Sequence, residues 1–349
     1  MGRRAFLGGL AGTLLARPLA AEPHNPQKRI QIGYLSPSAL NALESVWLLE
    51  FQKALSTRGY PMDAEVALVP RYAADRHERL PALAAELVDL GVDVILTFAT
   101  PASLAAKAAT TTIPIVMVAV GDPIGVGLVT RLNRPDANLT GLALNNVESA
   151  GKRVELLKQA VPLLSQAAVL ANPHNASFTA LQVARTRAVA DRMGVALTVV
   201  AVTSPERLAD TFAVVERRGV HGVIVLPDAT FIAHRERIAH LALQHRLPSV
   251  APAAEFVGAG CLLAYGPDVG EVYRQAARFV ERILRGARPS DLPVEQPTKY
   301  ELGINLKTAK ALGLTIPQSL LLRADQVIEY SNELGRLSQN VDSHTGGTI

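Results

Sequence analysis

Between Val92 and Leu128 the chain carries two runs of nearly unbroken apolar residues, Val92-Asp-Val-Ile-Leu and Ile113-Pro-Ile-Val-Met-Val-Ala-Val, with one short helix-length stretch between them. A strand that is apolar on both sides of its pleat needs cover on both faces, the condition of a parallel sheet sandwiched between helices. Small polar residues end both runs. Thr100-Pro101 reads as a helix start, with a hydroxyl N-cap and a proline at the first helical position, so that unpaired backbone N–H groups face the crevice at the carboxyl end of the strand. Such a place suits an anion.

The second half of the chain repeats the design. Gly219-Val-His-Gly-Val-Ile-Val-Leu-Pro-Asp228, a helix through Phe231 to Gln244, and Leu247-Pro-Ser-Val250 parallel Leu90 to Thr97, a helix through Ala102 to Ala109, and Ile113 to Val116. The likeness is one of architecture, and it predicts two related lobes.

A length of 349 residues also favours two domains, and 49% apolar residues supply two cores. After the first 21 positions no run is long and apolar enough to span a membrane. Met1 to Ala21 reads as an export signal, with Arg3-Arg4, a weakly apolar stretch through Leu15, and Leu19-Ala20-Ala21 as processing site; it resembles a twin-arginine signal, and a Sec signal is the alternative. Removing it takes away Arg3, Arg4 and Arg17 and leaves 32 basic against 31 acidic residues, so the basic balance of the whole chain is no argument for a nucleic-acid partner. A lone cysteine, Cys261, in an apolar run excludes a disulfide scaffold and reads as a buried thiol. The expected product is a free periplasmic protein, its first 21 residues cleaved and its last, 330–349, disordered.

Strands are expected near 30–35, 64–69, 92–97, 113–120 and 139–144 in the first half, and near 166–171, 196–202, 220–226 and 247–250 in the second, with helices between. Three polar or proline-rich stretches, at Asn145-Asn146 to Gly151, Tyr265-Gly-Pro-Asp268 and Pro289 to Glu301, read as crossings between lobes, with the helix from Val269 returning to the first. The fold class is α/β: two doubly wound parallel-sheet lobes joined by a three-segment hinge. The first lobe is expected over 30–145 plus 267–290 and the second over 146–266 plus 291–329.

Ordered blocks along the chain, among them Arg79-Leu-Pro-Ala-Leu-Ala-Ala-Glu-Leu-Val88, Thr100-Pro-Ala, Gly121-Asp-Pro123, Asn138-Leu-Thr-Gly141, Gly151-Lys-Arg153, Leu226-Pro-Asp228, Tyr265-Gly266 and Ile304-Asn-Leu-Lys-Thr-Ala-Lys-Ala-Leu-Gly313, resemble the tryptophan/tyrosine type of ABC-transporter substrate-binding proteins from about Ile30 to Glu329. The resemblance implies a type I periplasmic binding fold, whose lobes close on a small molecule and present it to an inner-membrane permease. It implies a monomer that captures an amino acid or related carboxylate, with no enzyme activity. A periplasmic sensing module docking on a receptor or sensor kinase is the alternative.

Strand ends nominate the site. Ser36, Thr100, Ala102, Ser103 and Asp122 follow strands of the first lobe, and Asn172 and Asp228 follow strands of the second, where open α/β sheets bind ligands. Thr100, Ala102 and Ser103 are expected to hold a carboxylate and Asp228 an ammonium, with Asp122 a second acceptor and Tyr265 covering an apolar side chain at the second crossing. Replacing Asp228 by Ala is expected to abolish binding and leave the fold intact. Phe178, Phe231 and Phe256 are further candidates for the cleft wall. The histidines, His77, His174, His221, His234, His240 and His245 among them, show no metal-ligand spacing, and Gly121-Asp-Pro-Ile-Gly125-Val-Gly127 lacks the lysine of a phosphate loop, so neither metal nor cofactor is expected.

Overall fold

The computed structural model describes residues 29–135, 138–144 and 146–329. The export segment, the carboxyl-terminal tail and Asn145 lie outside the described residues. The first lobe is laid down as β1 (Ile30–Ser36), α1 (Ala42–Ser56), β2 (Val66–Tyr72), α2 (Leu80–Asp89), β3 (Val94–Phe98), α3 (Ala99–Ala109), β4 (Ile115–Val120) and β5 (Leu139–Ala143). Its sheet has the order β2-β1-β3-β4-β5 with every pair parallel. The apolar runs seen in the sequence are its central strands, and β3 is buried at every position. One face packs under α1 through Trp47, Phe51 and Leu55, the other under α2 and α3 through Leu83, Leu87, Ala102 and Ala106.

The second lobe follows as α4 (Asn146–Ala160), β6 (Gln166–Ala171), α5 (Ala176–Arg192), β7 (Ala196–Ala201), α6 (Leu208–Arg217), β8 (Val223–Val225), α7 (Ala229–Ala233), α8 (Arg235–Gln244), β9 (Ser249–Ala251), α9 (Glu255–Ala259) and β10 (Leu263–Gly266). After α10 (Val269–Leu284) the chain completes this lobe with β11 (Glu301–Asn305), α11 (Leu306–Ala311), α12 (Gln318–Leu321) and β12 (Gln326–Ile328). The sheet order is β12-β11-β10-β9-β8-β6-β7. It departs from an all-parallel sheet at one pair, because β11 enters from a crossing and runs antiparallel to β10. His234 divides the helix expected from Phe231 into α7 and α8, and 3-10 turns precede α2, α5 and α6.

The chain passes between the sheets three times. The first passage leads from β5 into α4. The second leaves β10, where Asp268 caps α10 by accepting from the Glu271 N–H at 3.0 Å. Helix α10 then buries Val272, Tyr273, Ala276 and Val280 in the core of the first lobe. The third passage begins as an edge to the first sheet, with Glu295 N–H donating to Gly141 O at 3.0 Å and Ala143 N–H to Glu295 O at 2.9 Å, and then reaches β11. Gly266 is fixed by the second passage: a Cβ there would overlap the Pro252 carbonyl, so no larger residue fits.

Candidate ligand-binding site

The carboxyl ends of the two sheets face each other, and the lobes touch across the gap. His234 Nε2, at the end of α7, is 3.1 Å from Asp75 Oδ2, in the loop after β2. Ile232 packs against core residues of both lobes. The Phe178 ring of α5 lies so close over Gly121, after β4, that any Cβ at 121 would strike it.

Between these contacts is a narrow pocket, a cavity of about 30 Å³, lined by Phe98, Ala99, Thr100, Ala119, Leu144 and Val269 from the first-lobe side and Asn175, Phe178, Pro227, Asp228, Ala229 and Ile232 from the second. Its walls are mostly apolar. Polar groups collect at the ends of β8 and β3, and no basic side chain is among the lining residues.

Asp228 is held hard. Its Oδ1 accepts from Asn172 Nδ2 at 2.9 Å and from Thr230 N–H at 3.0 Å, and its Oδ2 accepts from Asn175 Nδ2 at 3.3 Å. It is thus both the N-cap of α7 and a pocket carboxylate, and neither role displaces the other. The expectation that Asp228→Ala spares the fold is corrected by these bonds: the change strips the cap and leaves two buried amides unpaired. Asn172 supports Asp228 from behind the pocket wall, its own Oδ1 accepting from the His174 N–H at 2.9 Å.

Across the cleft, α3 begins two residues earlier than the sequence suggests. Phe98 is the N-cap, without a side-chain cap bond, and Ala99 turns the chain with φ 64, so Pro101 stands third in the helix. Thr100 is therefore in the first helical turn, and its Oγ1 accepts from Gly121 N–H at 3.5 Å, tying β4's end to the helix start. The first-turn N–H groups of Ala99 and Thr100 have no partner within the helix itself.

The remaining candidates lie elsewhere. Ser103 donates to Ala99 O at 2.9 Å and meets Thr97 Oγ1 at 2.7 Å, so its hydroxyl serves the sheet. Ala102 is in the core under α2. Asp122 caps its own turn through Gly125 N–H at 2.9 Å and does not line the pocket. Ser36 bonds Ser38, which donates to Glu44 Oε2 at 2.7 Å; Glu44 Oε1 accepts from Tyr34 at 2.5 Å, and Tyr34 meets the Tyr273 hydroxyl at 2.7 Å. Burial lifts the Glu44 carboxyl above its ordinary value, against the opposing pull of these donors. Tyr265 stacks on Tyr300 with ring centroids 5.8 Å apart, at the hinge rather than in the pocket. Of the three phenylalanines, Phe178 lines the pocket, while Phe231 and Phe256 belong to the second-lobe core. Asn175, Ile232, Leu144 and Val269 were not singled out in the sequence, because only the meeting of the lobes turns them toward a common space.

Two α/β lobes with facing sheet ends, three connections and a pocket between them define a type I periplasmic binding fold. Residues 48–328 match the family described as ABC transporter substrate binding protein, and the chain belongs to that family, which is one of solute-binding proteins rather than enzymes. A "Tyrosine-binding protein" of Clostridioides difficile (strain R20291) is 26% identical over 265 residues, 76% of this chain and 75% of that one. The crystal structure of an ABC domain from Streptococcus pneumonia in complex with L-Trp is 28% identical, with a TM-score of 0.77 over 85% of this chain and all of that one. A conserved domain protein from Vibrio cholerae superposes with a TM-score of 0.80 at 26% identity, covering 86% of this chain and 100% of that one. Among the described residues no helix is long and apolar enough to cross a membrane, and no group of His, Cys, Asp and Glu has the makings of a metal site.

Proposed function

We propose that this protein is the periplasmic binding component of an ABC uptake transporter and that it captures an aromatic or large apolar α-amino acid between its lobes. The observation that carries this reading is the pairing in one pocket of a single carboxylate, Asp228, with the rings of Phe98 and Phe178 and no basic side chain among the lining residues. Asp228 Oδ2 takes the ligand ammonium, since it holds one long bond and has room for a second. The ligand carboxylate goes to the first-turn N–H groups of α3 around Thr100, and the side chain to the apolar wall. The tryptophan-bound and tyrosine-binding relatives support the same choice.

The expected boundary at 291 moves with the edge segment that pairs with β5: the moving bodies are residues 30–145 with 267–295 and residues 146–266 with 296–329. Closure follows from a ligand that touches both and so has higher affinity for the closed arrangement. The protein acts as a monomer, after loss of residues 1–21, and hands its ligand to an inner-membrane permease. Thermal unfolding tests the ligand class, because a ligand at a hundred times its Kd adds about 2.7 kcal/mol to stability. L-tryptophan, L-tyrosine or L-phenylalanine is expected to raise the melting temperature. A panel of the common amino acids that moves nothing overturns the reading.

A further inference from the structure

Arg153 of α4 is wholly buried in the second lobe. Its guanidinium reaches in three directions. Nη1 donates to Ser149 Oγ at 3.1 Å, in the first turn after the first passage between lobes, and to Tyr265 O at 3.3 Å, the last stretch of strand before the second. Nη2 donates to Gln182 Oε1 at 3.3 Å, on α5. The phenol of Tyr300, where the third passage ends, is close enough to act on its charge and is stacked on Tyr265. One side chain therefore touches or senses all three passages.

The partner on α5 links this node to the pocket. Gln182 lies four residues beyond Phe178, so the two share one face of the helix, and Asn175 stands just before its first turn. Helices α4 and α5 are pressed together: a Cβ at Gly151 would overlap the Val189 side chain. A shift of α4 at the hinge is then passed to α5 without slack.

The environment of Arg153 is not that of a stabilising ion pair. Among the side chains the structure describes, no carboxylate bonds it, Nε has no partner, and Gln182 Nε2 is likewise unpaired. Burial draws the guanidinium down to about 10, with the phenols of Tyr300 and Tyr265 pulling the other way. A charge kept under those conditions costs stability, and apolar replacements of buried charges are often neutral or stabilising. Its bonds to Ser149, Tyr265 and Gln182 instead fit a positioning role.

We infer that Arg153 is a positioning residue that locks the three hinge passages to the pocket-lining helix α5, so that lobe angle and the placement of Phe178 and Asn175 change together. This inference rests on the reading that the lobes close on a ligand, and its test includes a measurement that needs none. Spin labels at Lys53→Cys and Arg217→Cys, both on exposed positions of opposite lobes, report the distribution of inter-lobe distances, and buried Cys261 needs no removal. In Arg153→Met the ligand-free distribution is expected to broaden, with the thermal midpoint unchanged or higher, and the affinity for whichever of L-tryptophan and L-tyrosine the parent binds is expected to fall at least tenfold. Gln182→Leu, which cuts only the arm to α5, is expected to lower affinity while leaving the distance distribution as in the parent. A distribution and an affinity in Arg153→Met within threefold of the parent would overturn the inference. If the parent binds neither amino acid, the ligand reading fails and the distance distribution alone still decides the hinge role. Should Arg153→Met not fold, Arg153→Lys, which keeps the charge and loses the planar fork, is read by the same measurements: parent-like results contradict the inference, and a broadened distribution supports it.

Discussion

Replacing Asp228 separates its two roles, because Ala and Asn disturb different bonds. Asp228→Ala removes the N-cap of α7, worth about 1 kcal/mol. It also leaves the Nδ2 groups of Asn172 and Asn175, now at 2.9 Å and 3.3 Å from the carboxylate, without their acceptor. At roughly 1 kcal/mol or more for each buried donor, the total destabilisation is about 3 kcal/mol. At about 2.1 cal/mol/K of unfolding entropy per residue, that lowers the melting temperature of a chain this long by about 4 to 5 °C. Asp228→Asn keeps an acceptor for Thr230 N–H and Asn172, and Asn caps helices as well as Asp does, so its cost to the fold is about 1 kcal/mol at the Asn175 contact. The Asn variant still lacks the charge. Truncating one side of a buried charge pair costs about 2 to 5 kcal/mol of binding, a loss of about 1.5 to 3.5 orders of magnitude in affinity. Calorimetric titration beside thermal unfolding reads both quantities on the same samples. An Asp228→Asn protein that keeps near-parental stability and binds an amino acid within threefold of the parent would refute the role assigned to the carboxylate.

Gly121→Ala places a Cβ against the Phe178 ring and obstructs the meeting of lobes, so ligand affinity is expected to fall about tenfold or more with the melting temperature of the ligand-free protein little changed; adding Phe178→Ala should recover part of the loss, and an unchanged affinity in the single variant would contradict the closure geometry. Glu44 gives a pH dependence: burial raises its folded value above 4.5, so the folded chain holds the proton more tightly than the unfolded one, and its stabilising contribution is complete below about pH 4.5 and lost as the pH rises through the folded value. Urea unfolding from about pH 4 to about pH 8 should show Glu44→Gln gaining stability relative to the parent, and a constant difference would refute the buried titration. The Cys261 thiol is buried and pushed up to about 12, so iodoacetamide at about pH 8 is expected to modify it only after unfolding, as mass spectrometry would show.

Much of the fold could be read from runs of apolar residues. Strands β3, β4 and β6 stand out because both their faces are buried, which leaves no polar alternation to confuse the period. Strands β11 and β12 did not stand out. Glu301-Leu-Gly-Ile-Asn305 follows a proline-rich crossing and holds a glycine, and Gln326-Val-Ile328 is an edge of three residues. Their place comes from β10 and from the returning chain, which local sequence does not encode.

Of the strand-end candidates, Asp228 and Thr100 line the pocket between the lobes, while Ser36, Ser103 and Asp122, named on the same ground, do not. What parts them is the direction of each side chain after the turn. Ser103, one helical turn beyond Ala99, points back to Thr97, and Asp122 closes on Gly125. The early start of α3 depends on Ala99 adopting φ 64, a conformation its residue type does not announce. Val269 and Ile232, far apart in the chain, share the pocket only because the second passage returns α10 to the first lobe.

Titration calorimetry with L-tryptophan and L-tyrosine, each beside the same molecule without its amino group, tests the central claim that the pocket between the lobes selects an α-amino acid through Asp228. The account predicts saturable binding of at least one amino acid and, for its deaminated counterpart, an affinity lower by about two orders of magnitude, the worth of a buried charge pair. No binding by either amino acid, or equal binding with and without the ammonium, would contradict it.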